Sequence, residues 1–199
     1  MGNFTTQIFP SGDGGATRGA GAFANGGDKQ WMTIDRGTST GSGFQYQAWS
    51  TAGNNYAPNT FNRSPDGVLF QGPWTIPSSP IWGTLAVASD GTLYVVGTTG
   101  SGGPIYVARS TNARNVGSTP TFTVAPSTWA GHSASAVPST VPIPPASSGS
   151  YGSEWIAPTV RAAGWVYVLA TVQTPSDPMD VHVRPAAPTA ARPGRARCA

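Results

Sequence analysis

The chain has 199 residues, a formal net charge of +3 and only 10% charged residues, while glycine and proline together exceed a fifth of it. Such a composition suits short strands joined by many turns and not long helices, and no apolar run approaches the ~20 residues that cross a bilayer. The basic excess is confined to positions 184–199, with four arginines and no acid; without them the charge is −1, which leaves no basic stripe for nucleic acid.

In chain order, the first signal is Ser11-Gly-Asp-Gly-Gly-Ala-Thr17, an S-x-D-x-G-x-T turn. Asp13 can accept backbone N–H bonds of its own turn, Gly15 can take the positive φ that the bend requires, and Thr17 returns the chain to a strand. Ser64-Pro-Asp-Gly-Val-Leu-Phe70 is a second copy built on Ser64, Asp66, Gly67 and Phe70. Ser110 and Asn112 begin a third, with asparagine in the aspartate position and an irregular segment behind it.

A longer pattern runs between these turns. Trp82-Gly-Thr-Leu-Ala-Val-Ala-Ser-Asp-Gly-Thr-Leu-Tyr-Val-Val96 aligns without a gap on Trp155-Ile-Ala-Pro-Thr-Val-Arg-Ala-Ala-Gly-Trp-Val-Tyr-Val-Leu169. Trp31-Met-Thr-Ile-Asp35, continuing into Phe44-Gln-Tyr-Gln-Ala-Trp49, is another copy, and Arg63, Arg109 and Arg184 follow the three. Strand, tight turn and strand recurring every ~50 residues predict an all-β fold, a partial β-propeller of about three blades. The expected pieces are 1–27, 28–80, 81–150 and 151–183, with the Ser/Pro/Ala/Gly-rich stretch 127–153 as a loop between blades.

The chemistry-bearing residues are few. Glu154 is the single glutamate, at the mouth of an innermost strand, either a ligand contact or a solvated loop residue; Asp28 and Lys29 hold the corresponding entry before Trp31. Trp31, Trp82 and Trp155 recur at one repeat position and serve as packing between blades or as a sugar-stacking platform. Arg36 and Arg161 lie on inner-strand segments that can face a central funnel, whereas Arg63 and Arg109, just before turns, are expected on the outer surface. Tyr46, Tyr94 and Tyr167 alternate with apolar residues and read as sheet-face residues. His132 and His182 stand far apart, Cys198 is alone, and no spacing suggests a metal set or a cofactor.

On the S-x-D-x-G-x-T turns, and on Asp28-Lys-Gln-Trp-Met-Thr-Ile-Asp35, Ser-Asp-Gly-Thr-Leu-Tyr-Val-Val (89–96), Ile-Tyr-Val-Ala-Arg-Ser (105–110) and Asp177-Pro-Met-Asp180, residues 4–183 resemble the sialidase-like BNR/Asp-box repeat proteins. The resemblance implies a six-bladed parent, secreted or on the cell surface, acting on glycans or sialoglycoconjugates. In that family the boxes sit on outer hairpins away from substrate, and retaining sialidases use an arginine cluster, a tyrosine–glutamate pair and an aspartate acid/base. No complete set of that kind is present, so the chain itself is expected to be inactive. The alternative parent is a non-catalytic carbohydrate-binding or adhesion propeller.

Both ends depart from the repeat. The first box begins ten residues in, and no secretory leader is visible. After Val183 the repeat expects a box, where Arg184 onward reads as an Arg/Ala/Pro string. Regrouping its codons from the third base permits Ala-Arg-Ser-Thr-Asp-Gly-Gly-Thr-Thr-Trp, a complete box, so 184–199 is expected to be out of frame, the alternative being a genuine disordered tail. A truncated propeller would expose sheet edges and aggregate.

Overall fold

The computed structural model describes residues 4–98, 105–126, 157–160, 166–174 and 177–186. They form an all-β structure with no helix among the described residues. The strands are β1 (Gln7–Ile8), β2 (Ala22–Phe23), β3 (Trp31–Ile34), β4 (Gln45–Ala48), β5 (Phe61–Ser64), β6 (Gln71–Trp74), β7 (Ile81–Val87), β8 (Leu93–Thr98), β9 (Ile105–Ser110), β10 (Thr123–Pro126), β11 (Ala157–Val160), β12 (Val166–Thr174) and β13 (Asp177–Ala186). Each pairs antiparallel with its sequence neighbour inside its sheet, giving sheets β1-β2, β3-β4-β5-β6, β7-β8-β9-β10 and β11-β12-β13. In space β3 lies beside β7, and β7 beside β11, so the first strands of the three larger sheets are neighbours.

Register explains why β4 and β5, the central strands of the β3–β6 sheet, are buried on both sides. Tyr46 stands opposite Arg63 and Ala48 opposite Phe61, so these four share one face. Gln45 opposite Ser64, and Gln47 opposite Asn62, share the other. The first face is the apolar core: Tyr46, Ala48, Phe61, Ile76, Leu85, Leu93, Val95, Ala108 and Ala113 pack with Phe44, Trp74, Val87, Phe122 and Val124. Phe61 is its hub, with Phe122 edge-on at 5.1 Å between centroids and Tyr46 stacked at 6.4 Å.

The second face is an amide layer against the segment that carries β1 and β2. The Asn62 side-chain amide donates to Ala24 O at 2.6 Å and to Asn25 Oδ1 at 3.2 Å. The Gln30 amide donates to Gln47 Oε1 and accepts from the Thr6 hydroxyl.

Two findings differ from expectation or qualify it. Arg63 is 1% exposed and not on the outer surface, because the residue before the turn is sandwiched between two sheets instead of lying on a rim. In the last sheet β13 runs on through Arg184 to Ala186, and Arg184 is in register with Val168, not with Tyr167. The equivalent tyrosines of the two preceding sheets face their arginines directly, Tyr46 opposite Arg63 and Tyr94 opposite Arg109.

Phe61→Ala removes the ring on which the apolar face converges, and is expected to cost about 3–5 kcal/mol of stability in denaturant titration. An exposed control, Leu69→Ala, at 69% exposure, should shift the same transition hardly at all.

Candidate functional site

The strand register divides the molecule into two ends. Gln45 is paired with both Ile34 and Ser64, so the 35–44 turn lies at the end where the 65–70 turn follows β5. Ala48 is paired with Trp31 and Phe61, which puts the entry to β3 and the 49–60 loop at the opposite end.

The three S-x-D/N turns lie between β1 and β2, β5 and β6, and β9 and β10, always just before the last strand of the sheet. In the first, the Ser11 hydroxyl donates to Asp13 Oδ1 at 2.8 Å and accepts the Gly15 N–H at 2.7 Å. Asp13 Oδ1 accepts the Thr17 N–H at 2.9 Å, and Oδ2 accepts the Thr17 hydroxyl at 2.6 Å. Gly15 takes φ +97° with open space around it, so glycine is required by conformation and not by crowding.

In the second, the Ser64 hydroxyl donates to Asp66 Oδ1 at 3.0 Å, and that oxygen accepts the N–H groups of Val68 and Leu69 at 2.9 and 2.8 Å. Gly67 takes φ +75°, which disfavours any side chain, and a Cβ there would also stand 2.4 Å from Gln45 Nε2; Phe70 is half-buried. In the third, the Ser110 hydroxyl donates to Asn112 Oδ1 at 3.0 Å. Thr121 does for Asn112 what Thr17 does for Asp13, its N–H donating to Oδ1 at 2.8 Å, but nine residues on instead of four. The irregular segment of the sequence is therefore an insertion of five residues inside a closed box.

The opposite end brings together Asp28, Lys29 and Trp31. Asp28 is fixed through its backbone, donating to Ala52 O at 3.2 Å and accepting from Ser50 N–H at 2.8 Å. Lys29 takes a left-handed φ of 53°, its N–H donates to Asp28 Oδ1 at 2.9 Å, and its ammonium lies 3.9 Å from that oxygen. Both side chains are more than a third exposed, as is Trp31 at 38%. Behind them Trp49 is buried against Gly27, where a Cβ would sit 2.6 Å from the indole, with Tyr56 edge-on at 6.3 Å. A carboxylate, an ammonium and an exposed indole can hydrogen-bond hydroxyls and stack on an apolar sugar face.

Of the other candidates, Arg36 is not at this end. Arg36 is exposed beyond the far end of β3, roughly 16 Å along the strand from Trp31 at about 3.3 Å per residue. Trp82 lies on β7, the neighbour of β3. Glu154, Trp155 and Arg161 lie outside the described residues, as does His132. Among the described residues no three His, Cys, Asp or Glu side chains group as a metal site.

Tyr46 is fully buried, and burial, reinforced by Asp35, pushes its hydroxyl up to about 12, the opposite of what a nucleophile needs. Sequence reasoning passed over Asp35 as a structural group. It is 1% exposed, accepts the Gly37 N–H and the Ser39 hydroxyl at 2.7 Å each, and pins the turn leaving β3.

The hydrogen bonds from Thr17, then Ser11, hold the Asp13 carboxyl at about 2, below its ordinary 3.8. A lowered folded-state value means the turn is stabilised by this group above pH 3.8 and loses that contribution as the pH falls through about 2. An NMR pH titration should show the Asp13 carboxyl shift with a midpoint near 2 and the Thr17 amide losing its hydrogen-bonded shift in step. In Thr17→Val the midpoint should move up toward 3.8.

Comparison of the chain with family models, curated proteins and solved structures finds no match in any of the three.

Proposed function

We propose that the chain is part of a sialidase-like Asp-box β-propeller that acts on glycans outside the cell, with a parent that cleaves terminal sialic acids. The observation that carries this reading is the repeated turn. Three Ser-x-Asp/Asn turns share the serine-to-Asx hydrogen bond, each precedes the last strand of an antiparallel sheet, and the first strands of the three larger sheets adjoin. A second support is polarity: Asp28, Lys29 and Trp31 stand at the end away from the 65–70 turn, where the family resemblance puts the substrate.

By itself the chain does not hydrolyse sialosides in this reading. Its described tyrosine on the β3–β6 sheet, Tyr46, is buried in the core, and Glu154 is the only glutamate available to pair with any nucleophile. Binding without cleavage is favoured by a specific feature, the exposed Trp31 beside the Asp28–Lys29 pair.

Two assays separate the outcomes. The chain is expected to release no fluorophore from a fluorogenic sialoside. On a glycan array it should retain weak binding to sialylated glycans that Trp31→Ala lowers about tenfold. Hydrolysis above background would overturn the assignment of inactivity, and array binding unchanged by Trp31→Ala would remove this end of the molecule as the glycan site.

A further inference from the structure

We infer that the loop 113–120 of the third box, five residues longer than that of the first, forms a socket for Arg63, so that the turn of one sheet latches the sheet before it. Arg63 projects from β5 with its guanidinium at the seam between the β3–β6 and β7–β10 sheets. Nε donates to Gln71 Oε1 at 2.9 Å within its own sheet. Nη1 donates to Ala113 O at 2.7 Å and Nη2 to Ser118 O at 2.9 Å, both in the lengthened loop 113–120 of the next sheet. The guanidinium also lies over the Trp74 ring, 5.0 Å from its centroid. It has no carboxylate partner among the described residues, so these acceptors and the indole face are what offset its burial.

The insertion is built to present those carbonyls. A box with the Asp13-to-Thr17 spacing ends too soon to supply both. Asn112 keeps the longer loop closed by using both ends of its amide: Oδ1 accepts from Thr121, and Nδ2 donates to Thr119 O at 3.2 Å. A carboxylate has no donor for Thr119, which accounts for asparagine where the other two boxes have aspartate. Arg114 fastens the loop to the neighbouring turn by donating to Asp90 O. It runs past two glycines with no room for a side chain: a Cβ on Gly91 would stand 2.4 Å from Arg114 Nη1, and one on Gly41 would stand 2.7 Å from Arg114 Cβ. Ala113 is itself part of the apolar core, so the loop is anchored at its first residue.

A thermodynamic cycle in the full chain tests the socket. Deleting residues 113–117 restores the shorter box spacing. Arg63→Ala should lower the melting temperature by about 5–10 °C with the insertion present and by less than half as much without it. Equal shifts in both backgrounds would overturn the latch. Where the alanine variant does not fold, Arg63→Lys, which cannot span two carbonyls, takes its place in the cycle.

Hydrogen exchange on the unsubstituted chain gives an answer without any variant. The Thr121 and Ser118 amides should open together with those of β5. Free exchange of the turn amides while β5 stays protected would equally overturn the proposal.

Discussion

The packing of β4 and β5 between two neighbours sets the terms for everything around them. A sheet covered on one side can send its polar residues to water, but these strands have no such side. Phe61 and Asn62 are adjacent in sequence and both fully buried, one in an aromatic core and the other in an amide layer. Every polar group on the strand pair therefore has to find a protein partner or lose its hydration uncompensated. Asn62 finds Ala24 and Asn25 on one side, and Arg63 finds Gln71, Ala113 and Ser118 on the other. The loops that reach in to supply those partners follow from this constraint.

The Ser-x-Asx turns answer a different problem, that of reversing direction at a solvent-facing end. Their hydrogen bonds close within a few residues, so they form wherever the local residues are right. They are also robust to insertion, since Asn112 and Thr121 close the same ring across a longer loop. A turn that tolerates insertion is a place where a repeat can grow a specialised contact without disturbing its strands.

Much of this was legible in the sequence. Alternation of Tyr, Ala and Phe against Gln and Asn along 45–48 and 61–64 marks strands, and the turn residues carry their own chemistry, so the all-β, turn-rich organisation can be read directly. The environment of Arg63 could not, because a charged residue next to a hairpin turn looks the same whether its flank is solvent or another sheet. The one available signal was the excess length after Asn112, which says that a loop exists but not what it receives. At the candidate site the sequence grouped Asp28, Lys29 and Trp31 by their common entry to β3. It could not place Arg36 at the other end, since the strand's length decides that.

The amide layer between the β3–β6 sheet and the first hairpin has a consequence of its own. Thr6, Asn25, Gln30, Gln47 and Asn62 are all uncharged, so added salt has no ion pairs to screen at that seam. Nor does the layer contribute the large hydrophobic term that binds the opposite face to its neighbour. Water and urea can stand in for each of its bonds, whereas neither can replace the packing around Phe61. The molecule thus has a soft seam and a hard one, and a rising urea concentration should peel away the β1–β2 hairpin while the two four-stranded sheets still move as one body.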